Sequence, residues 1–527
     1  MSQVSLLDCT LRDGGYVNTW RFGEKNIRTI VNKLIQSGIE VVECGYLNAS
    51  VPSNADTTRF SCMEDVLKFY THEKGKNQRY AVMVNLGEFP AEALPMADER
   101  SPVVRLAFHK KDLEEAFCYA EQLEHRGYAY FMQPMGALNY SDAEYIALIG
   151  RVNQTKAEAF YVVDSFGVME MPDFKRLVFL ADHNLREGMI LGYHSHNNLQ
   201  QAYSNSKCMV ELKLRHSLIL DATVFGMGRG AGNLNIELFA RYLNQTEGKQ
   251  YDIEPFLEIF DECLKPIFMC NFWGYSLPFY LSSIHNCHPN YANYFNEMNT
   301  LTVKSINELL SMLTEEDKIS YSKEKADRYY LQYQEHFVDD AAILDKIREA
   351  VSRRNILILA PGSTLNTHQE SVQQFIQEQH PIVFGVNMPA KQYRYDYLFL
   401  VNEKRYTPVI PENVKQRILT SNIRHIGESD LCVNYTSYLL TDSKVWDNPT
   451  LMLMKLLRSV GAKVVYIAGM DGFSATKNNY FSPSMDLGTK ISTKIEKNQQ
   501  IAFELAKMNK LMTLHFLTPS NYCEEMK

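Results

Sequence analysis

Short apolar runs alternate with longer amphipathic stretches through the first 230 residues. The runs Val4–Asp8, Ile39–Glu43, Tyr80–Val84, Val103–Phe108, Tyr128–Gln133, Phe160–Asp164, Ile190–His194 and Leu218–Val224 predict strands, each separated from the next by enough chain for a crossover helix. Near-continuous apolar strands alternating with helices are the pattern of a parallel sheet covered on both faces. Eight such repeats predict an α/β fold of the (β/α)8 TIM-barrel type, whose functional groups sit at the C-terminal strand ends. An open doubly wound sheet is the competing arrangement.

The pattern changes near residue 251. To about 350 it is helical and rich in aromatics, as in Phe272-Trp273-Gly274-Tyr275 and Tyr291–Phe295, and it carries a charged stretch at Glu315–Lys325. Alternation resumes at Asn355, with strand candidates Ile356–Ala360, Ile382–Val386, Tyr397–Val401, Arg417–Ser421, Val464–Ala468 and Thr513–Leu517. The expected organisation is therefore a TIM barrel over residues 1–250, a helical extension over 251–350 and a Rossmann-like α/β domain over 351–527. No internal repeat or low-complexity tract interrupts it.

Composition narrows the class. Of 527 residues, 45% are hydrophobic and 22% charged, which describes a globular chain rather than a disordered one. A formal net charge of -8 argues against bulk electrostatic attachment to nucleic acid or an anionic membrane. No stretch approaches the roughly 20 apolar residues that span a bilayer, and the first residues lack the basic and apolar segments of a signal peptide. The 10 cysteines show no CxxC spacing, so reduced thiols and a cytoplasmic location are expected.

The candidate chemistry lies at strand ends. The first strand runs into Cys9-Thr10-Leu11-Arg12-Asp13-Gly14-Gly15, placing a guanidinium beside a carboxylate. The seventh ends in His194-Ser195-His196, and residues two apart in an extended segment share a face, so both imidazoles can approach one ion. A carboxylate with two neutral imidazoles suits a divalent transition metal and leaves positions open for substrate and water. HxH alone also reads as a hydrogen-bonded strand end. After the eighth strand, Gly226-Met227-Gly228-Arg229-Gly230-Ala231-Gly232-Asn233 permits close backbone approach to a ligand. Asn233 there offers an amide oxygen as a further ligand or a substrate contact.

The motifs Thr10-Leu11-Arg12-Asp13-Gly14, Ile39-Glu40-Val41-Val42-Glu43-Cys44-Gly45, Val163-Asp164-Ser165-Phe166-Gly167, His194-Ser195-His196-Asn197-Asn198 and Gly230-Ala231-Gly232-Asn233 occur in order over about residues 1–240. Together they resemble the DRE-TIM metallolyases, a superfamily that includes hydroxymethylglutaryl-CoA lyase, isopropylmalate synthase and 4-hydroxy-2-oxovalerate aldolase, with the aldolase branch the nearest. The resemblance implies that Asp13, His194 and His196 bind a divalent ion, with Asn233 a possible fourth ligand and Mn2+ preferred over Mg2+, Co2+ or Zn2+. It implies that Arg12 stabilises the oxygen of a pyruvate enolate, where developing charge meets a fixed cation. Glu43 stands at a polar active-site position, either against substrate or as the partner of Arg12. The aldolase branch carries a histidine acid/base shortly after the aspartate; here Tyr16 occupies that stretch. Tyrosine has a reference pKa near 10, which makes it a poor base.

Asn85 and Gln133, at the ends of strands three and five, are expected to bind substrate in the barrel mouth, and Tyr275 is a looser candidate from the extension. His285-Asn286-Cys287-His288 offers ligand-type side chains, although its place in the extension favours a structural or partner-facing role. In the last domain, Pro361-Gly362-Ser363-Thr364 joins a strand to a helix. Its amides face an anion, or Ser363 or Thr364 caps the helix. The domain vaguely resembles those of bacterial glycan-modifying or pterin pyrophosphokinase-like proteins, but the GxGxxG and GxxxxGK[ST] signatures are absent.

The expected function is that of a metal-dependent aldolase acting on a 4-hydroxy-2-oxo acid, with a small 2-oxo acid such as pyruvate and an aldehyde as partners. A homo-oligomer is expected, with neither nucleic acid nor membrane as a partner. The alternatives are a Claisen-type acyltransferase or acyl-CoA lyase on the same barrel, or a scaffold whose last domain binds a sugar nucleotide.

Overall fold

The computed structural model describes residues 3–69, 78–424, 426–440, 443, 445–477, 479–486 and 491–525. It separates into two compact units, Met1–Pro289 and Asn290–Lys527, and the helical stretch expected over 251–350 falls partly in each.

In the first unit the strands are β1 (Val4–Asp8), β2 (Val41–Leu47), β3 (Arg79–Asn85), β4 (Val103–Phe108), β5 (Tyr130–Pro134), β6 (Ala159–Asp164), β7 (Ile190–Ser195) and β8 (Leu218–Ala222). They pair in parallel in the order β1-β8-β7-β6-β5-β4-β3-β2. The barrel closes where Leu7 pairs with Val41 and Asp8 with Val42. A two-residue strand, Arg59–Phe60, adds outside β2; it was not expected, being too short to show a period.

Helices cover the barrel because one stripe of each is apolar. In Glu24–Gln36 the buried side chains are Ile27, Ile30, Val31, Leu34 and Ile35, the spacing of one helical face. Helix Asp142–Val152 starts with a capping box in which Ser141 and Glu144 satisfy each other's backbone amides. Outward strand residues such as Leu6, Val42, Val82 and Val104 join these helices in one core. Inward residues, among them Leu7, Val41, Ala81, Val103, Phe131, Ala159 and Ile219, fill the barrel interior.

In the second unit seven strands form an all-parallel sheet: β9 (Ile356–Leu359), β10 (Ile382–Val386), β11 (Tyr395–Leu400), β12 (Val414–Thr420), β13 (Leu431–Val433), β14 (Val464–Ala468) and β15 (Thr513–Phe516). Their order is β13-β12-β11-β10-β9-β14-β15, with separate apolar cores on the two faces. This is a Rossmann-like doubly wound domain. The short β13 was not expected. Past β9, the Pro361–Thr364 loop is met by a carboxylate of the chain itself. Asp471, in the turn after β14, accepts from the Thr364 amide at 2.8 Å, from Ser363 Oγ at 3.0 Å and from Thr364 Oγ1. Ser363 makes no side-chain cap.

Candidate metal centre

Side chains two apart on a strand point the same way, so the strands that place apolar residues in the lower barrel place polar ones above them. Glu43 follows Val41 inward, Arg105 follows Val103, Gln133 follows Phe131 and Asp221 follows Ile219. All four are buried. Such charges persist in a core only when paired, and here they close a ring. Arg12 donates from Nε to Glu43 at 2.8 Å and from Nη1 to Asp13 at 2.6 Å. Arg105 donates to the same Glu43 oxygen at 2.7 Å and also pairs with Asp221. Asp221 meets His194 Nδ1 at 2.8 Å, and His194 Nε2 returns to Asp13 at 3.1 Å.

Asp13, His194 and His196 each bring one ligand atom within 4.8 Å of the other two. The imidazoles stand edge to face, centroids 5.1 Å apart, and His196 Nε2 lies 3.5 Å from Asp13 Oδ2. Both rings are held by their other nitrogen. His194 Nδ1 faces the Asp221 carboxylate, and His196 Nδ1 faces the Asp164 carbonyl at 3.0 Å. Each acceptor takes a proton from Nδ1, which leaves the Nε2 lone pairs directed at the Asp13 side of the site.

This donor set fits a divalent cation. Three carboxylates in the ring, Asp13, Glu43 and Asp221, outnumber the two guanidiniums by one charge. His196 Nε2 and Asn233 Oδ1 are buried without a hydrogen-bond partner, and backbone pairing sets His196 beside Asn233. Coordination would satisfy both atoms. Arg12 Nη2 is a third orphan in the same place, a donor with nothing yet to bind. Burial raises the Asp13 carboxyl, but Arg12 and the two imidazoles outweigh it and hold the group well below the usual carboxylate range. Burial alone would lower His194, yet Asp13 and Asp221 keep it above its ordinary value, whereas burial carries His196 below it.

The loop after β8 is tied down on three sides. Thr10 Oγ1 accepts from the Val224 amide at 2.9 Å, Asn198 Oδ1 accepts from the Ala231 amide at 2.7 Å, and Trp273 of the extension donates to the Phe225 carbonyl at 3.0 Å. Gly232 has φ +83°, and a Cβ there would collide with the Gly226 carbonyl oxygen. The glycines are thus required by the path that carries Asn233 to His196.

The other sequence candidates fall into four places. Glu43 lies in the ring, partnered by both arginines. Gln133, with its amide oxygen toward Arg105, accepts from Nε and Nη2 at 2.5 and 2.6 Å, so it supports the ring through Arg105. Asn85 belongs to a separate cluster, donating to Glu88 at 3.2 Å and to the Tyr46 hydroxyl. Tyr16 lies at the mouth, edge-on to Trp20 at 4.7 Å, with 41% of its surface exposed. Burial around its hydroxyl pushes its pKa up. Tyr275 is 52% exposed, and among the described residues no hydrogen bond or ring contact joins it to the site.

Three residues near the site, Arg105, Asp221 and Arg229, were missed as candidates, and a fourth, His288, was named for its ligand-type side chain but set aside. Arg105 and Asp221 carried a visible signal, a lone charge at an inward position of an otherwise apolar strand. Arg229 carried none, because loop positions obey no period. Arg229 Nη2 donates to the Ser165 carbonyl at 2.9 Å, and its guanidinium lies over the Tyr16 ring at 5.4 Å. His288, expected to be structural or partner-facing, stands edge-on to Phe166 at 6.2 Å. Burial, then the Arg229 charge, lowers its pKa to about 3.

Fold and site together define an α/β barrel with a buried triad of metal-ligand type at its C-terminal mouth. Residues 3–260 match the HMGL-like family model, and this part of the chain is an HMGL-like, DRE-TIM domain. A 4-hydroxy-2-oxovalerate aldolase from Rhodococcus jostii is 28% identical over 244 residues, 45% of this chain and 66% of that protein. An oxaloacetate decarboxylase from Mycobacterium tuberculosis is 25% identical over 249 residues, 46% of this chain and 70% of that protein. Among solved structures, the HMG-CoA lyase from Brucella melitensis is 15% identical over 49% of this chain and 96% of its own, with a TM-score of 0.40. The chain thus spans about two thirds of the curated relatives it matches, and residues beyond 260 lie outside the family match. No helix among the described residues is long and apolar enough to cross a membrane.

Proposed function

We propose that the first unit is a divalent-metal-dependent carbon–carbon lyase of the aldolase type, cleaving or forming a 4-hydroxy-2-oxo acid through a pyruvate enolate. The observation that carries this reading is the convergence of Asp13, His194 and His196 on one point, with the unpartnered Arg12 Nη2 beside them. Asp13, His194 and His196 would hold the ion, with Asn233 Oδ1 in reach of the same centre. When bound, the ion supplies Lewis acidity to the carboxylate and keto oxygens of a 2-oxo acid.

The chain's own groups then account for the charge. In cleavage the C4 hydroxyl loses its proton to a base, and the C3–C4 bond breaks. The electron pair of that bond passes to C3 and onto the C2 oxygen, so that an aldehyde leaves and an enolate remains. Arg12 Nη2 donates to the oxygen on which that charge develops, and Glu43 and Asp13 fix the guanidinium that carries it. A preorganised donor of this kind contributes about 10²–10³ in rate. Uptake of one proton at C3 yields pyruvate. Tyr16, protonated at neutral pH, orients groups at the mouth rather than serving as the base.

The resemblance to an oxaloacetate decarboxylase favours a second reading, since loss of CO2 from a 2-oxo diacid leaves the same enolate. Incubating the Mn2+-supplemented protein separately with 4-hydroxy-2-oxovalerate, oxaloacetate and hydroxymethylglutaryl-CoA distinguishes the readings. Pyruvate released from the hydroxy acid supports the aldolase. Consumption of only the diacid or only the thioester would replace it with decarboxylase or acyl-CoA chemistry.

A further inference from the structure

Arg229 differs from the two arginines below it. Arg12 and Arg105 are buried, and each pairs with two carboxylates. Arg229 is half-buried at the mouth, and among the described residues no carboxylate pairs with it. Its side-chain partners are neutral, the Ser165 carbonyl and the Tyr16 ring. A guanidinium has five donors in a fixed fork suited to carboxylate or phosphate, and one bond to a carbonyl leaves most of that capacity open.

Its position is set by the backbone. The Arg229 amide lies 3.5 Å from Asp13 Oδ1, which puts this residue directly beside the triad. Gly230 next to it has φ +69°, and a Cβ there would press on Asn198. The chain therefore holds Arg229 in place while its side chain reaches across to the loop after β6. The Tyr16 ring lies beneath the guanidinium, and Phe166 and His288 lie on the same side of the mouth. A 2-oxo acid at the triad uses its carboxylate and keto oxygen there, with Arg12 on the enolate oxygen. Arg229 is left facing whatever lies further along the substrate.

We propose that Arg229 is a specificity-determining residue that binds a second anionic group, carboxylate or phosphate, on the part of the substrate distal to its 2-oxo acid. This rests on the reading given under Proposed function for where the 2-oxo acid sits. It also gives Tyr16 a role at the position where the aldolase branch has histidine: its ring supports the guanidinium by a cation–π contact.

The test is binding, measured by calorimetry on the Mn2+-supplemented full chain with two matched pairs of ligands. The pair 2-oxoglutarate and 2-oxovalerate differs by a distal carboxylate, and 2-oxo-5-phosphonopentanoate and 2-oxovalerate differ by a distal phosphonate standing for phosphate; none of the three carries the C4 hydroxyl that cleavage needs. The wild type should prefer the anionic member of at least one pair by about 10- to 100-fold, the range of one charge-assisted bidentate contact, and the preferred pair identifies the group. Arg229→Gln should abolish that preference and Arg229→Lys should keep part of it. Equal affinities within both pairs in the wild type, or an undiminished preference in Arg229→Gln, would overturn the proposal. So would an equal loss for both members of a pair, since Arg229 would then hold the 2-oxo carboxylate itself. Failure of the enolate reading has a separate signature, no metal-dependent deuterium exchange into pyruvate by the wild type.

Discussion

Replacing Asp221 by Asn changes one oxygen for an amide and leaves shape nearly intact, yet it cuts the ring at two points. His194 loses the carboxylate that holds its Nδ1 proton at 2.8 Å, and Arg105 keeps only Glu43 as a charged partner. Both residues are fully buried, so neither loss is made good by water. Removing one member of a buried pair costs about 3–5 kcal/mol. Because Arg105 retains Glu43 and Gln133, the lower end is expected for unfolding of the metal-free protein. Freed from Asp221, the imidazole can take the tautomer that puts a proton on Nε2 and removes the lone pair from Asp13's side. Loss of such an outer partner lowers metal affinity about 10- to 100-fold, or about 1.4–2.7 kcal/mol. Titration of Mn2+ into the metal-free protein by calorimetry measures it, with circular dichroism to establish that the variant is folded. A folded Asp221→Asn protein that binds Mn2+ within twofold of wild type would refute the assignment of the ring as the support of His194.

Other outcomes follow from the same geometry. Asp13→Ala should abolish Mn2+ binding in the calorimeter, whereas Arg12→Ala should retain the ion and lose about 10²–10³ in pyruvate release. Gly232→Ala should destabilise the first unit by about 1–3 kcal/mol from its left-handed backbone alone, with more from the collision at Gly226, and should weaken Mn2+ binding with it. In the second unit, Asp471→Ala strips the Thr364 amide and two hydroxyls of their acceptor and should cost about 1–2 kcal/mol in denaturant unfolding, leaving Mn2+ binding unchanged.

The barrel was legible because each strand is an apolar run bounded by polar residues, and β4 and β1 fall where the pattern placed them. Boundaries slipped where the run and the ladder end differently. Val41–Leu47 extends past Glu43 because, after an irregularity at Cys44-Gly45, Tyr46 and Leu47 resume the pairing with Met83 and Val84. The triad was legible because its three members lie at strand ends in short motifs. The ring behind it was not. Arg105 and Asp221 each stand as a lone charge inside a predicted strand, and only closure of the barrel brings them, 116 residues apart, into contact. Gln133 shows the same limit from the other side: its inward direction was correct, but it faces Arg105. Arg229 and Tyr16 meet only through the fold, since a loop gives no period from which to infer direction.

The central claim is a metal-dependent enolate site, and deuterium uptake into the pyruvate methyl group tests it most directly. Pyruvate would be incubated with the full chain in D2O, with Mn2+ or with EDTA, and analysed by mass spectrometry. The account predicts exchange that requires the ion, proceeds without any acyl-CoA or aldehyde, and disappears in Asp13→Ala. Exchange at the rate of the enzyme-free control in the presence of bound Mn2+ would contradict it.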